Sequence, residues 1–434
     1  MSSIINWRET KFKFVSRIIS GGTPQSGNPD YWDGPITWLT PVDLGNKGSD
    51  AIYESARRLT TAGVKAAGLE ILPSGTVVIS TRAPIGSVGL LACEATTNQG
   101  CKAVIPEERL INSKFIYYLA LDSAEKLRSL GLGTTFVELS TYALKNFRLC
   151  LPNVIEQRHI ASYLDKQTAK IDLLIRLRQR QIELLREQRA ALIQQAVTRG
   201  LNPNAPMRDS SIPWLGEIPA HWRKTKLARI ARQGRGTFIN GPFGSDLLTS
   251  ELKYIGVPVV YIRDIKQSGY QRVSKAFVTQ QKANSLSVFR VDPGDVIVAK
   301  VGDPPGTAAI YPNDEPAGVV TQDVIRIKPN LQVIAPTFLV LWLNSYAGKA
   351  SLDQIAVEST RMRVDLASYK GLLLWLPPLS EQLSIISAIQ TEISRIDNLV
   401  EAYSRQITLL QEYRASLIHE CVTGQRTIPA SCAP

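Results

Sequence analysis

Residues 151–160 read LPNVIEQRHI, and residues 376–385 read LPPLSEQLSI, 225 residues further along the chain. The same spacing continues without a gap well beyond these stretches and relates Ile171 to Ile396. Apolar residues recur at helical spacing throughout both segments. The repeat therefore predicts two copies of one structural plan, each ending in a long helix.

The repeat extends beyond the helices, although its spacing changes. Residues 7–12 (WRETKF) match 222–227 (WRKTKL) at an offset of 215, and residues 72–78 (LPSGTVV) match 291–297 (VDPGDVI) at an offset of 219. Offsets that drift in this way indicate loops of different length within a common fold. We therefore expect variable globular domains attached to helices of fixed length.

Each globular domain is predicted to mix strands and helices. Short β-branched runs at 76–79 and 295–298 lie next to glycine and proline, as in strands. Residues 113–127 and 336–349 carry large apolar side chains at helical spacing. The expected fold class is α+β, with two such domains joined by two long helices in a pseudo-two-fold repeat.

The predicted boundaries follow from these patterns. They are a first domain at 1–150, a first long helix at 151–200, a connector at 201–221, a second domain at 222–375, a second long helix at 376–424 and a C-terminal tail at 425–434. The connector holds four prolines among polar residues, so it is predicted to be extended rather than part of a core.

The long helices share one apolar seam with steps of three and four residues. In the second copy it comprises Ile386, Ile389, Ile393, Ile396, Val400, Tyr403, Ile407, Leu410, Arg414 and Leu417; in the first copy Ala161, Leu164, Thr168, Ile171, Ile175, Arg178, Ile182, Leu185, Arg189 and Leu192. A period of 3.5 predicts a coiled coil. The favoured interpretation is an antiparallel pair within one chain; the alternative is two helices that each pack only on their own domain.

Two arginines of the first copy, Arg178 and Arg189, interrupt the seam. They could extend along the coil to solvent or pair with a facing glutamate. They could also fix the register of the helices, or contact a bound partner. Register control is the favoured interpretation.

Composition favours a polyanionic partner. Lysine and arginine exceed aspartate and glutamate by a formal charge of +12, and the pI is about 9.4. The five cysteines form no CxxC pair, which suits a reducing cytoplasm. No N-terminal signal pattern and no membrane-spanning helix are expected.

A combination of motifs resembles the DNA-specificity subunits of type I restriction-modification systems. It comprises residues 214–222 (WLGEIPAHW), the Leu-Pro-x-x-x-Glu-Gln openings at 151–157 and 376–382, the Arg82-x-x-x-Gly86-x-x-Gly89 turn and Asn98-Gln99-Gly100. The N-terminus departs from the pattern, since it lacks the full Gly-Glu-Ile-Pro lead-in. The second domain departs too, with Lys300-x-Gly302 and Thr321-Gln322-Asp323 at the corresponding places.

The resemblance implies a function for each part. Each globular domain would be a target-recognition domain that reads one half of a bipartite double-stranded DNA site. The helices would set the gap between the half-sites and dock two modification subunits. Those subunits would carry S-adenosylmethionine and the adenine methyltransferase activity, and ATP-dependent motor-nuclease subunits would join for restriction. This chain would have no cofactor and no catalytic residue of its own.

Candidate DNA contacts are polar and basic loop residues, because base edges are read by arginine, asparagine, glutamine and threonine, and phosphates by lysine and arginine. In the first domain they are Thr81, Arg82, Asn98, Gln99, Thr134 and Thr135; in the second, Arg235, Lys300, Thr321, Gln322, Arg361 and Arg363. The alternative for each is an ordinary solvated loop residue.

Catalytic and metal-binding motifs are weak. Asp303-Pro304-Pro305-Gly306 resembles the adenine methyltransferase tetrapeptide but lacks its final aromatic residue, and the repeat aligns it with 83–86 as a shared turn. The three histidines are scattered, which predicts no metal site. Cys93 and Cys101 could approach each other across a hairpin, although buried thiols are favoured.

Two other classes of function remain as alternatives. A coiled-coil scaffold with basic domains that bind another protein would show little dependence on salt, whereas DNA binding would show a steep one. A self-contained methyltransferase would bind S-adenosylmethionine without partners, and no feature of the sequence favours it.

Overall fold

The computed structural model describes residues 7–44, 51–82, 84–131, 137–302, 305–356 and 362–428. The chain divides into two compact units. The first contains residues 1–180 and 403–434, and the second contains residues 181–402. Each unit therefore holds one globular domain together with a segment of each long helix.

The elements of the first unit begin with β1, and its long helix α6 continues into the second unit. They are β1 (Arg8–Lys11), α1 (Phe12–Val15), β2 (Ser16–Ser20), β3 (Trp32–Leu39), β4 (Ala51–Ile52), β5 (Arg57–Leu59), α2 (Thr61–Ala66), β6 (Val77–Ser80), β7 (Val88–Leu91), β8 (Ala95–Thr97), β9 (Cys101–Pro106), α3 (Ser113–Asp122), α4 (Ala124–Ser129), α5 (Thr141–Lys145), β10 (Arg148–Leu151) and α6 (Val154–Arg199).

The second unit holds the remaining elements, and its long helix α11 continues into the first unit. They are β11 (Met207–Asp209), β12 (Glu217–Pro219), β13 (Arg223–Lys226), β14 (Phe238–Asn240), β15 (Val257–Val260), β16 (Ile265–Lys266), β17 (Gly269–Tyr270), β18 (Phe277–Val278), α7 (Gln280–Ser285), β19 (Arg290–Val291), β20 (Val296–Ala299), β21 (Ala308–Ile310), β22 (Gly318–Val320), β23 (Val324–Ile327), α8 (Pro336–Asn344), α9 (Tyr346–Asp353), α10 (Leu366–Gly371), β24 (Leu373–Leu376) and α11 (Leu379–Val422).

Both domains contain the same pair of sheets. The first has the order β2-β9-β6-β7-β4 in one sheet and β5-β3-β8 in the other; the second has β14-β23-β20-β21 and β18-β15-β22-β19. Strand β4 extends only the first domain's sheet. In the second domain β19 pairs with β22. At the equivalent place in the first domain there is only a single bridge, between Leu72 and Ala95. The repeat seen in the sequence is thus a repeat of strand order; among the described residues the domains differ at sheet edges and in the separate β16-β17 hairpin of the second domain.

The central strands are buried on both faces, which explains their unbroken β-branched runs. Val77 and Ile79 pack in one core of the first domain, while Val78 packs in another. Val296, Ile297 and the other residues of β20 divide between two cores of the second domain in the same way. Helices α3 and α8, together with segments of the long helices, cover one face of the sheets β2-β9-β6-β7-β4 and β14-β23-β20-β21 respectively.

The two long helices occupy residues inside the predicted 151–200 and 376–424. Each begins shortly after proline, where the missing amide hydrogen removes no helical hydrogen bond. Gly200 follows α6 with φ 69°, and Gly424 follows α11 with φ 75°. This left-handed conformation favours glycine and ends a helix.

In both units the segments of α6 and α11 run in opposite directions. Within the first unit, Asp172 lies 3.0 Å from Arg414, and Arg178 stacks 4.9 Å from the centre of the Tyr403 ring. As the residue number rises from 172 to 178 along α6, the number of the contacted residue on α11 falls from 414 to 403. All the predicted seam positions are buried or half-buried, as a coiled-coil seam requires.

The seam arginine of the second unit makes the repeat-related contact. Arg189 lies 3.1 Å from Asp397. Arg189 is equivalent to Arg414, and Asp397 to Asp172, at the offset of 225, so this contact repeats the one between Asp172 and Arg414. The partner is therefore an aspartate, not the glutamate considered from the sequence. Antiparallel helices with the same internal repeat place such residues opposite each other twice.

One buried glutamine in each domain joins the start of a long helix to the loop before α3 or α8. Gln157 accepts a 2.9 Å bond from the Asn112 amide and donates to the carbonyls of Leu110 and Pro152. Gln382 makes the same three bonds to residues 335, 333 and 377. This explains the glutamine of the repeated motif.

The connector differs from its prediction. Strands β11 and β12 pair with each other, and Ile218 is fully buried in the core of the second unit. Arg208 donates to the Trp222 carbonyl, which folds the segment back onto its own domain. The prolines lie at a strand end and in loops, where they remove no needed donor. The expectation of an extended segment outside any core was therefore wrong.

Within the described ranges, none of the helices has the length and apolarity needed to cross a membrane.

Candidate nucleic-acid interface

Three chain segments meet at one end of the central strands of the first domain. We call residues 81–82, 98–100 and 137–139 the first junction. The Thr81 amide donates to the Gly100 carbonyl at 2.8 Å, and the Leu139 amide donates to the Thr81 carbonyl at 3.0 Å. The Asn98 amide donates to Leu39 of the neighbouring sheet at 2.8 Å. These bonds fix the backbone independently of the side chains.

The second domain builds the same arrangement from residues 300–301, 321–323 and 362–364, the second junction. The Lys300 amide donates to the Asp323 carbonyl at 2.8 Å, and the Val364 amide donates to the Lys300 carbonyl at 3.3 Å. The Thr321 amide donates to Val260 at 3.1 Å. The backbone bonds repeat one for one, whereas the side chains differ.

Several predicted contacts of the first domain converge on the first junction. Arg82 is exposed and forms an ion pair with Glu138, whose carboxylate accepts from Nε at 3.1 Å and lies 3.0 Å from Nη2. Gln99 is exposed and accepts from the Thr23 hydroxyl. Asn98 is half-buried, and its side-chain oxygen accepts from the Gly100 amide at 2.9 Å.

Thr81 occupies a different environment from the one expected of a base-reading residue. Its side chain is fully buried, and its hydroxyl donates to the Gly100 carbonyl at 3.2 Å. It therefore holds the turn together and does not face solvent. The predicted contacts Thr134 and Thr135 lie outside the described residues.

In the second domain, Lys300, Thr321, Gln322 and Arg363 all belong to the second junction. The Thr321 hydroxyl donates to the Val260 carbonyl at 2.9 Å, a structural role like that of Thr81. Arg363 is exposed and lies 3.9 Å from the Asp323 carboxylate. Lys300 and Gln322 are half-buried. Arg361 lies outside the described residues.

Arg235 lies apart from this group, on an exposed loop before β14. The loop is held by Arg326, a buried residue of β23. The Arg326 guanidinium donates to the Gly236 carbonyl, to Val288 at 3.0 Å and to Arg290 at 2.9 Å. Burial lowers the pKa of Arg326, while Asp295 favours its charged form. The anchoring cation was not predicted from the sequence.

Lys102 and Glu138 were also missed in the sequence analysis. Lys102 is buried in β9, and its ammonium donates to the Ser20 hydroxyl at 3.1 Å. Burial lowers the pKa of Lys102, and the charge of nearby Glu138 opposes this shift. A lysine in an otherwise apolar strand, CKAVIP, was the available signal.

Other predicted features have structural explanations. Gly86 and Gly306 both have φ 91°, and their amides bond to Ser80 and Ala299 at 3.0 and 2.8 Å. The shared turn inferred from the repeat is thus seen at its glycine, while Asp303 and Pro304 lie outside the described residues. Among described positions, no group of three or more potential metal ligands occurs.

The cysteines of the described ranges are free thiols. Cys101 is buried in β9, whereas the Cys93 thiol faces the Tyr53 carbonyl at 3.2 Å. The pairing considered across a hairpin is therefore absent from this structure. Cys432 lies outside the described residues.

Comparison with known proteins agrees with this architecture. Residues 4–184 match the family model for the type I restriction modification DNA specificity domain. The MjaIX specificity subunit of Methanocaldococcus jannaschii is 35% identical over 182 residues, which cover 42% of this chain and 41% of that protein. The EcoBI specificity subunit of Escherichia coli is 24% identical over 332 residues, covering 75% of this chain and 68% of that protein.

Solved structures share the fold over nearly the whole chain. A chain from a type I R-M system, studied for complex assembly and conformational transition, superimposes with a TM-score of 0.74 at 15% identity, covering 97% of this chain and 99% of the other. The HsdS subunit of Thermoanaerobacter tengcongensis gives 0.54 at 16% identity, with 97% and 98% covered.

The class of protein follows from these findings. Residues 4–184 are similar to the type I restriction modification DNA specificity domain, and the resemblance inferred from the motifs is confirmed. The chain spans about two fifths of the MjaIX subunit and about two thirds of the EcoBI subunit in these alignments.

Proposed function

We propose that the chain is the DNA-binding specificity subunit of a type I restriction-modification complex. The observation that carries this proposal is the junction built twice on one backbone plan but with different polar side chains. A fixed backbone with variable side chains is what a pair of reading domains for two unlike DNA sequences needs. The formal charge of +12 supports a polyanionic partner.

Each domain would read one half of a bipartite site. The gap between the halves would be set by the antiparallel helices, whose register is supported by the two repeat-related pairs of arginine and aspartate. The helices would also dock the modification subunits. S-adenosylmethionine and ATP would be bound by the partner subunits, and this chain would contribute the sequence of the target and no catalytic group.

The first test is a map of N6-methyladenine in cells with and without the chain. The expected result is a bipartite motif, with a gap of fixed length, that loses methylation when the gene is deleted. A methylation map that the deletion leaves unchanged would contradict the proposal.

A second test measures the affinity of the purified chain for random duplex DNA at several salt concentrations. The logarithm of the association constant should fall linearly with the logarithm of salt concentration, because bound phosphates release counterions. Affinity that does not depend on salt would favour the alternative scaffold function.

The gap can be tested separately. Seven residues inserted into each long helix would lengthen it by about 10 Å, which corresponds to about three base pairs of DNA. The methylated motif should then have a longer gap and the same two half-sequences. An unchanged gap would show that the helices do not set it.

A further inference from the structure

One position of the junctions carries opposite charges in the two domains. Glu138 precedes Leu139, and Arg363 precedes Val364; the offset of 225 relates both pairs. The Leu139 and Val364 amides make equivalent bonds, to the carbonyls of Thr81 and Lys300. The backbone therefore presents a carboxylate in the first domain and a guanidinium at the same place in the second.

Both side chains combine a fixed partner with access to solvent. The Glu138 side chain is 34% exposed beside Arg82, which is 49% exposed. The Arg363 side chain is 57% exposed beside Asp323, which is 43% exposed. Partly exposed ion pairs contribute little to stability. The hydrogen bond from Arg82 instead restricts the orientation of the Glu138 carboxylate, which reduces the ordering cost of binding a ligand.

The cations that surround Glu138 strengthen the case. Arg82 bonds to one carboxylate oxygen directly, and the buried ammonium of Lys102 interacts with the carboxylate electrostatically. A carboxylate can accept several hydrogen bonds. The Glu138 carboxylate can therefore accept a hydrogen bond from a ligand while it keeps the bond from Arg82.

We propose that Glu138 and Arg363 are specificity-determining residues, each of which reads a base edge in its own half-site. The carboxylate of Glu138 accepts from an exocyclic amino group, as carboxylates do with cytosine N4. The guanidinium of Arg363 donates to the O6 and N7 acceptors of guanine. This inference rests on the proposed function, because it assigns bases to domains that bind DNA.

The test uses the N6-methyladenine map of cells in which the full chain is replaced by variants. Glu138→Gln keeps the shape of the side chain but adds a donor, so it should relax one base position in one half-site. Arg363→Gln should relax one position in the other half-site. At each affected position, discrimination between the original base and its alternatives should fall about 5- to 150-fold.

The matched control for the carboxylate is Glu9→Gln. Glu9 forms an exposed ion pair with Arg148 at 2.8 Å, on strands β1 and β10 of the first domain, away from the junction. This control should leave both half-sequences unchanged. A charge exchange, Glu138→Arg, should change the preferred base rather than only relax it, since the side chain then offers donors to an acceptor edge.

The outcomes separate this inference from the proposed function. Wild-type cells without a bipartite motif would overturn the proposed function. The assignment of these two residues would be overturned if Glu138→Gln and Arg363→Gln leave the wild-type motif unchanged. It would also be overturned if each variant relaxes both half-sites alike. The assignment is supported if Glu138→Gln relaxes a base position in one half-site and Arg363→Gln relaxes a position in the other.

Discussion

The two domains agree where they join the long helices and differ where their central strands end. Gln157 and Gln382 make the same three hydrogen bonds, whereas Glu138 and Arg363 carry opposite charges on the same backbone. A buried amide with three fixed partners tolerates little change, because any loss leaves buried polar groups unsatisfied. An exposed side chain on a backbone held by other bonds can vary freely.

The largest expected effect comes from Arg326, which the first domain replaces by Ala103 at the equivalent place in β9. Arg326→Met should lower the free energy of unfolding by about 3–5 kcal/mol, because Asp295 and three carbonyls lose a buried cation. Urea unfolding followed by tryptophan fluorescence measures it. Arg229→Met, at an exposed position, is the control; equal losses for both variants would contradict the role of Arg326.

The glutamines test where the domains agree. Gln157→Leu and Gln382→Leu should each lower the free energy of unfolding by about 3 kcal/mol, since each leaves buried backbone groups without a partner. Urea unfolding measures both. The exposed Gln188→Leu and Gln390→Leu, on the same helices, should change stability little. If the two buried substitutions lowered the free energy of unfolding by very different amounts, the two domains would not be equivalent at this position.

The repeat-related ion pairs should differ in strength. The Asp172 and Arg414 side chains are 31% and 23% exposed, and those of Asp397 and Arg189 are 56% and 34% exposed. Asp172→Asn should therefore cost about 1 kcal/mol and Asp397→Asn about 0.3 kcal/mol. Double-mutant cycles with neutral replacements of the arginines would measure both couplings, and a larger coupling in the more exposed pair would contradict this order.

A difference that appears only at high pH concerns Cys101, which stands where the second domain has Val324. Burial raises the pKa of the Cys101 thiol to about 12. An unfolded thiol ionises near pH 8.5, so stability from the protonated folded thiol is complete below that pH and is lost as pH rises towards 12. Cys101→Val should reduce the loss of stability over this range. The exposed Cys150→Val, which should leave it unchanged, is the control for urea unfolding from pH 8 to 11.

The long helices and the central strands were accessible from the sequence because periodicity and repetition report burial directly. The seam predicted from residues 386–417 is buried or half-buried throughout. The fold of the connector was not accessible, since its prolines suggested an extended chain while the burial of Ile218 depends on the second domain. The α+β domains followed from short β-branched runs between turns.

The candidate site was only partly predictable. Arg82, Asn98, Gln99, Lys300, Gln322 and Arg363 were chosen as loop residues, and the structure brings them to the two junctions. Thr81 was chosen on the same grounds, but its burial depends on how three segments pack. Glu138 was missed because residue type favours cations for DNA contact, and its position beside Arg82 arises from a distant segment.

The sequence by itself determined the duplication, the two long helices and the excess of positive charge, because each follows from the spacing or the number of residues. Only the tertiary structure decided which side chains share a junction and which are buried within it. Hydrogen bonds between segments about twenty to sixty residues apart create that arrangement, as in Thr81 with Gly100 and Leu139. No local pattern encodes such contacts, since they depend on the path of the whole domain.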